Sequence, residues 1–200
     1  TVAGLPVAKK FAYQALLQRS GRVPALAPNK AQNPSTATQL IGGALYACVE
    51  VNCPFRIWVD PTTGVVSSGE HDDFGGQIPV FSAHSRVDPD GVVNYFAKGY
   101  RGGSTEQLAL NSYGRIGPDG KVMNRTQFLA GEGAPPAFLH DMFVTASHSI
   151  CVDHTLRADA TKMVTTGYFE FDRSRNVRLG VLPRDASGQM QPDWYDLGLP

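Results

Sequence analysis

Five histidines, His71, His84, His140, His148 and His154, are the side chains best suited to hold a metal ion or to move a proton near neutral pH. None sits in an H-E-x-x-H motif or in a Cys/His spacing of the zinc type, so no local segment defines a metal site. Neither a G-x-S-x-G elbow nor a G-x-x-x-x-G-K-[ST] loop occurs, which removes the two commonest local signatures of acyl and phosphoryl chemistry. The acidic pairs Asp72-Asp73 and Asp88/Asp90 stand beside glycines and read as turns. Cys48, Cys53 and Cys151 are odd in number and form no C-x-x-C, so they are expected to be buried free thiols of a reducing compartment. Asn124-Arg125-Thr126 fits a glycosylation sequon, but such triplets arise often by chance and little else suggests secretion. His148 and His154 are expected to decorate a hairpin end.

Charge narrows the partners. Eighteen Lys and Arg balance eighteen Asp and Glu, for a formal net charge of zero. A protein that tracks phosphates needs a basic surplus, so nucleic acid is not an expected partner. Charged residues make up 18% of the chain, whereas apolar residues reach 42%, enough for a core. No apolar run approaches the roughly 20 residues of a membrane-spanning helix. The sequence begins at Thr1 with no signal-peptide pattern, and is expected to be a processed product or a piece of something longer.

The elements that must position any site are mostly strands. Residues 1–32 read as a helix over Phe11–Arg19, ended by Ser20-Gly21, followed by an extended linker; Pro24, Pro28 and Pro34 punctuate the stretch from Val23 to Ser35. Within residues 33–200, short β runs alternate with turn chemistry. Asp60-Pro61-Thr62-Thr63-Gly64 divides Phe55–Val59 from Val65-Val66. Asp88-Pro89-Asp90-Gly91 divides Phe81–Val87 from Val92–Phe96, and Gly117-Pro118-Asp119-Gly120 divides Leu108–Ile116 from Lys121-Val122. Pro or Asp sets the early dihedrals of each turn, and Gly supplies the positive φ that reverses the chain. The same beat predicts hairpins of Phe138–Thr145 with Ser149–Val152 and of Met163–Phe171 with Val177–Leu182. Such a train of hairpins builds a sandwich, a barrel or a propeller, and its even spacing favours the propeller.

Four blocks, in order, go further. Gly43–Glu50 followed by Cys53-Pro54-Phe55-Arg56 resembles the carotenoid cleavage oxygenase family. Asp72-Asp73-Phe74-Gly75-Gly76 with Phe81-Ser82-Ala83-His84 is similar to the family's next block, which carries its first metal histidine; Ser85 stands where the family usually has Pro. Phe138-Leu139-His140-Asp141-Met142-Phe143-Val144-Thr145 resembles its His-Asp-aromatic motif, and Arg178-Leu179-Gly180-Val181-Leu182-Pro183-Arg184 its Arg-(Ile/Leu)-Gly-Val-Leu-Pro-Arg stretch.

The resemblance implies an all-β fold, part of a seven-bladed propeller, with Fe(II) held by four histidines backed by glutamates. Carried over by position, His84 and His140 are the first two ligands and Glu50 the carboxylate that orients His140. Phe138 is a candidate to line the substrate tunnel, while Asp141 and Thr145 support the loop. Neutral imidazoles leave a ferrous ion its charge and open positions for O2. A buried carboxylate accepting the far ring N–H fixes each tautomer. The implied reaction is cleavage of a conjugated C=C bond of a carotenoid or apocarotenoid by O2. The implied setting is intracellular, cytoplasm or plastid, with peripheral contact to a membrane surface; Leu5-Pro6-Val7 with Phe11, Leu16 and Leu17 offers only a weak amphipathic segment for it. The third and fourth histidines would fall beyond Pro200, so the 200 residues are expected to be a fragment that alone binds iron poorly and turns nothing over. Three alternatives stand beside this reading: a non-catalytic propeller serving as a binding module, a retinoid isomerohydrolase-like member and a stilbene-cleaving one.

Overall fold

The computed structural model describes residues 16–17, 20–22, 36–50, 52–97, 110–128, 139–158 and 169–199. Of the expected helix only Leu16 and Leu17 fall among these; both are helical, and Ser20 N–H donates to Leu16 O at 3.0 Å. The rest of that helix, and the proline-rich linker, lie outside the described residues.

Glycine-bearing turns fold the chain into successive antiparallel meanders. In the first, β1 (Ala37–Ile41), β2 (Ala44–Cys48), β3 (Phe55–Val59) and β4 (Val66–His71) pair in chain order. Gly42 and Gly43, at φ 56° and 76°, make the two-residue reversal between β1 and β2. Asp60 closes the β3–β4 turn as its sequence predicts, its Oδ1 accepting from the Thr62 and Thr63 N–H groups at 2.8 Å. The second sheet runs β5 (Arg86–Val87), β6 (Val93–Ala97), β7 (Asn111–Ile116) and β8 (Val122–Phe128), with β14 (Gly188–Gln189) added in parallel to β8. Its turns fall at Asp88–Gly91 and Gly117–Gly120, where the sequence puts them. The third is ordered β9 (Met142–Val144), β10 (His148–Asp153), β13 (Arg178–Pro183) and β15 (Asp193–Asp196).

Two expected elements differ. The run Phe81–Val87 is a strand only at Arg86–Val87, because the Ser82 hydroxyl takes the His84 N–H that a ladder would have used. Of the expected hairpin of Met163–Phe171 with Val177–Leu182, residues 163–168 lie outside the described residues, and the described strands make two separate pairings instead. β12 (Phe169–Phe171) pairs with β11 (Leu156–Ala158) in a two-stranded ribbon, while β13 returns to β10. Alternating apolar residues mark a strand without naming its partner.

Side-chain burial decides between the architectures left open by spacing. All five residues of β6 are buried. From one face Val93, Tyr95 and Ala97 pack with Ile41, Tyr46 and Cys48 of the first sheet; from the other, Phe96 packs with Met142, Cys151 and Leu182 of the third. A sheet covered by a sheet on each face is the middle of a stack of blades, not half of a two-layer sandwich. Neighbouring blades also meet at their turns: a Cβ on Gly42 would come within 2.6 Å of Gly120 Cα, so only glycine allows that approach.

None of the three cysteines is in a disulfide, and all three are buried. Burial, aided by the Asp153 carboxylate, pushes the Cys151 thiol from an ordinary value near 9 up to about 12; burial and Glu50 do the same to Cys48. A raised thiol pKa gives stability that is complete below about pH 9 and is lost as pH climbs toward 12, since the unfolded chain ionises first. The native protein is therefore expected to leave a chromogenic disulfide reagent unreacted at about pH 8, to titrate fully in denaturant, and to show a falling urea midpoint from about pH 9 upward. A fast-reacting native thiol would contradict this.

Candidate metal centre

His84 and His140 occupy matching places in successive blades. Each lies on irregular backbone two residues before the first strand of its sheet, β5 and β9 respectively. Stacking the blades brings these two strand starts side by side, so rings distant in sequence meet with centroids 4.3 Å apart and planes at 65°. Glu50 arrives from the first sheet, just after β2, with its side chain 7% exposed against 36% for His84 and 50% for His140. The three expected residues thus come together: their ligand atoms lie within 4.8 Å of one another, the one such group among the described residues.

Glu50 Oε1 is the point of convergence. It stands 2.8 Å from His140 Nδ1 and 3.9 Å from His84 Nε2. The 2.8 Å contact is within hydrogen-bonding range but off the ring N–H direction, so this buried oxygen receives no aligned hydrogen bond. A desolvated carboxylate oxygen without an aligned donor is costly. A cation carried by the two imidazoles would offset that cost, and the donor set of two nitrogens backed by a carboxylate suits a divalent transition metal.

The other candidates sit elsewhere. His71 ends β4 and packs edge-on against Phe55, centroids 5.0 Å apart. His148 opens β10, exposed, with Nδ1 2.8 Å from Ser147 Oγ; His154 Nδ1 accepts from Leu156 N–H at 3.1 Å in the bend that leads to β11. Thr145 closes the β9–β10 turn by donating its hydroxyl to His148 O and accepting His148 N–H. Phe138 lies outside the described residues. Ser82 and Arg86, beside His84, have polar contacts to the His140 segment that the sequence did not reveal. The S-x-H-x-R pattern was their only trace. Among the described residues no helix is long and apolar enough to cross a membrane.

Fold and site together define a propeller whose successive blades carry a candidate metal centre at the ends of their first strands. A family model described as retinal pigment epithelial membrane protein matches residues 7–199, and the chain belongs to that family, the carotenoid cleavage oxygenases. A chloroplastic 9-cis-epoxycarotenoid dioxygenase of Oryza sativa subsp. japonica is 28% identical over 82% of this chain, and a carotenoid 9,10(9',10')-cleavage dioxygenase of Pisum sativum is 30% identical over 58% of it. The chain spans only 25% of the rice protein and 20% of the pea protein. Among solved structures, the lignostilbene dioxygenase of Pseudomonas brassicacearum superposes with TM-score 0.69 at 22% identity, over 91% of this chain and 39% of that one. The cobalt-substituted apocarotenoid oxygenase of Synechocystis gives 0.58 at 21%, over 82% and 34%. These likenesses show the fold: an all-β chain, part of a seven-bladed propeller.

Proposed function

We propose that the full-length protein carrying this chain is a non-haem Fe(II) dioxygenase that splits a conjugated C=C bond of a carotenoid or apocarotenoid, each carbon of the bond taking one atom of O2 to give two carbonyl products. The observation that carries the reading is the meeting of His84 and His140 over the buried Glu50 oxygen. The rice epoxycarotenoid dioxygenase and the pea carotenoid-cleavage dioxygenase support the substrate class. An intracellular setting, cytoplasm or plastid, belongs to the same reading and is supported by the chloroplastic rice relative.

His84 and His140 are the residues that would hold the iron, with further histidines completing the set that the family resemblance implies. Iron, when bound, supplies the redox chemistry and the open positions at which O2 is used. The chain's own residues do the arranging. Glu50 stands 2.8 Å from His140 Nδ1, where a turn of the ring would bring that N–H into line and leave Nε2 with its lone pair. His84 turns Nε2 toward the same carboxylate. Both rings stand just ahead of β5 and β9, strands that blade packing holds side by side, so the two rings are neighbours before any ligand arrives.

Oxygen uptake with product analysis tests this in the full-length protein supplied with Fe(II) and a detergent-dispersed carotenoid or apocarotenal. One O2 consumed per two carbonyl fragments, lost in His140→Ala, is the expected result. An alcohol of altered double-bond geometry without O2 uptake would instead indicate an isomerohydrolase. Turnover of stilbenes alone would narrow the substrate, and carotenoid binding without turnover would indicate a binding module.

A further inference from the structure

The two histidine segments are joined by more than their rings. Neither His84 nor His140 lies within a strand, so no ladder fixes either backbone. Arg86, the first residue of β5, reaches across to the next blade and donates from Nη2 to Asp141 Oδ1 at 2.6 Å. The same oxygen accepts the Met142 N–H at 2.7 Å, which ties the arginine to the first residue of β9. Beneath this pair Ser82, 2% exposed, accepts the His84 N–H at 3.0 Å and directs its own hydroxyl to the His140 carbonyl at 3.5 Å. On the opposite flank Ser85 Oγ donates to Gln39 Oε1 of β1 at 2.8 Å. The segment bearing His84 is therefore tied to the blade on each side of it.

We propose that Arg86 and Asp141, with Ser82 beneath them, form a clasp that sets the separation of His84 and His140. Arg86 is a positioning residue: it touches neither ring in the contacts described and acts through Asp141. The pair is about half exposed, with side chains 45% and 50% accessible, and ion pairs of that kind add little to global stability. Its effect is local, on the register of two neighbouring strand starts. The clasp is a property of the metal-free chain; only its consequence for metal binding rests on the function proposed above.

Two measurements on the full-length protein test it. In the metal-free state, Arg86→Ala is expected to speed amide exchange at Met142, and Ser82→Ala at both His84 and Met142, with Arg86→Lys restoring most of the protection because a cation stays within reach. With Co(II) as the probe, Arg86→Ala is expected to weaken binding about 5-fold and to alter the visible cobalt bands, less than the roughly 10- to 100-fold of a partner that orients a ligand directly, because Arg86 acts through Asp141. Exchange at Met142 indifferent to residue 86 overturns the clasp, and so does an unchanged cobalt affinity and spectrum in Arg86→Ala. If the unaltered protein shows no cobalt spectrum that depends on His140, the metal reading fails, and amide exchange alone then decides the clasp.

Discussion

Arg184→Ala is expected to lower the unfolding free energy by about 3 kcal/mol, the lower end of the cost of removing one member of a buried ion pair. Arg184 follows β13 in the third sheet, and its Nη2 closes on Asp88 in the β5–β6 turn of the second. Both side chains are largely buried, 17% and 13% exposed. Nη2 also reaches Asn94 Oδ1 at 3.2 Å and Nη1 the Thr145 carbonyl at 3.5 Å, so one guanidinium serves three segments. Its backbone is tied as well: Tyr113 Oη donates to Arg184 O at 3.2 Å and Asn124 Nδ2 at 3.1 Å. Truncation leaves the Asp88 carboxylate desolvated without its cation, and that penalty, more than the lost attraction, makes the effect large. Arg184→Lys should recover only part, because an ammonium cannot present the planar fork that meets Asp88, Asn94 and Thr145 together. Urea unfolding at neutral pH measures both variants. A loss below about 1 kcal/mol for Arg184→Ala would mean that solvent already screens the pair.

The same stretch shows what a sequence discloses and what it withholds. Arg178–Arg184 stands out as a family-like string, yet nothing in the string says what each residue does. In the fold Arg178 donates to Asp153 at 2.5 Å and lies over the Trp194 ring at 4.6 Å. Gly180 lacks the Cβ that would strike Trp194 and Cys151, and Leu182 enters the core between the second and third sheets. Turns such as Asp88–Gly91 were legible because their causes are local: a fixed φ at Pro89 and a positive one at Gly91. Partner choice is not local, and so the β11–β12 ribbon was missed. Glu50, His84 and His140 came from resemblance alone, since residues so distant in sequence meet only when blades stack. Arg86 and Ser82 carried no periodic signal and no trace beyond the S-x-H-x-R pattern around His84. Asn124 illustrates the reverse: it satisfies a sequon, but its amide nitrogen donates inward to Arg184 O and Ala186 O.

Glu50→Gln is expected to weaken Co(II) binding to the full-length protein by about 10- to 100-fold, the range seen when the partner that orients a ligating histidine is lost. The carboxylate gives the centre a negative charge in a desolvated place and an acceptor 2.8 Å from His140 Nδ1. An amide of the same shape removes the charge and can turn its NH2 toward the ring, favouring the tautomer with the proton on the wrong nitrogen. The metal-free protein should respond in the opposite sense. Glu50 Oε1 is buried with no aligned hydrogen bond, so neutralising it removes a desolvation cost, and the urea midpoint should hold or rise. Glu50→Asp keeps the charge but withdraws it by one methylene, and should fall between Gln and the unaltered residue in cobalt affinity. The paired signature separates a functional carboxylate from a structural one. If Glu50→Gln lowers the metal-free midpoint and leaves cobalt affinity untouched, the carboxylate serves the fold and the candidate centre loses its anchor. Affinity lost without stability lost is the outcome that a buried charge kept for a cation requires.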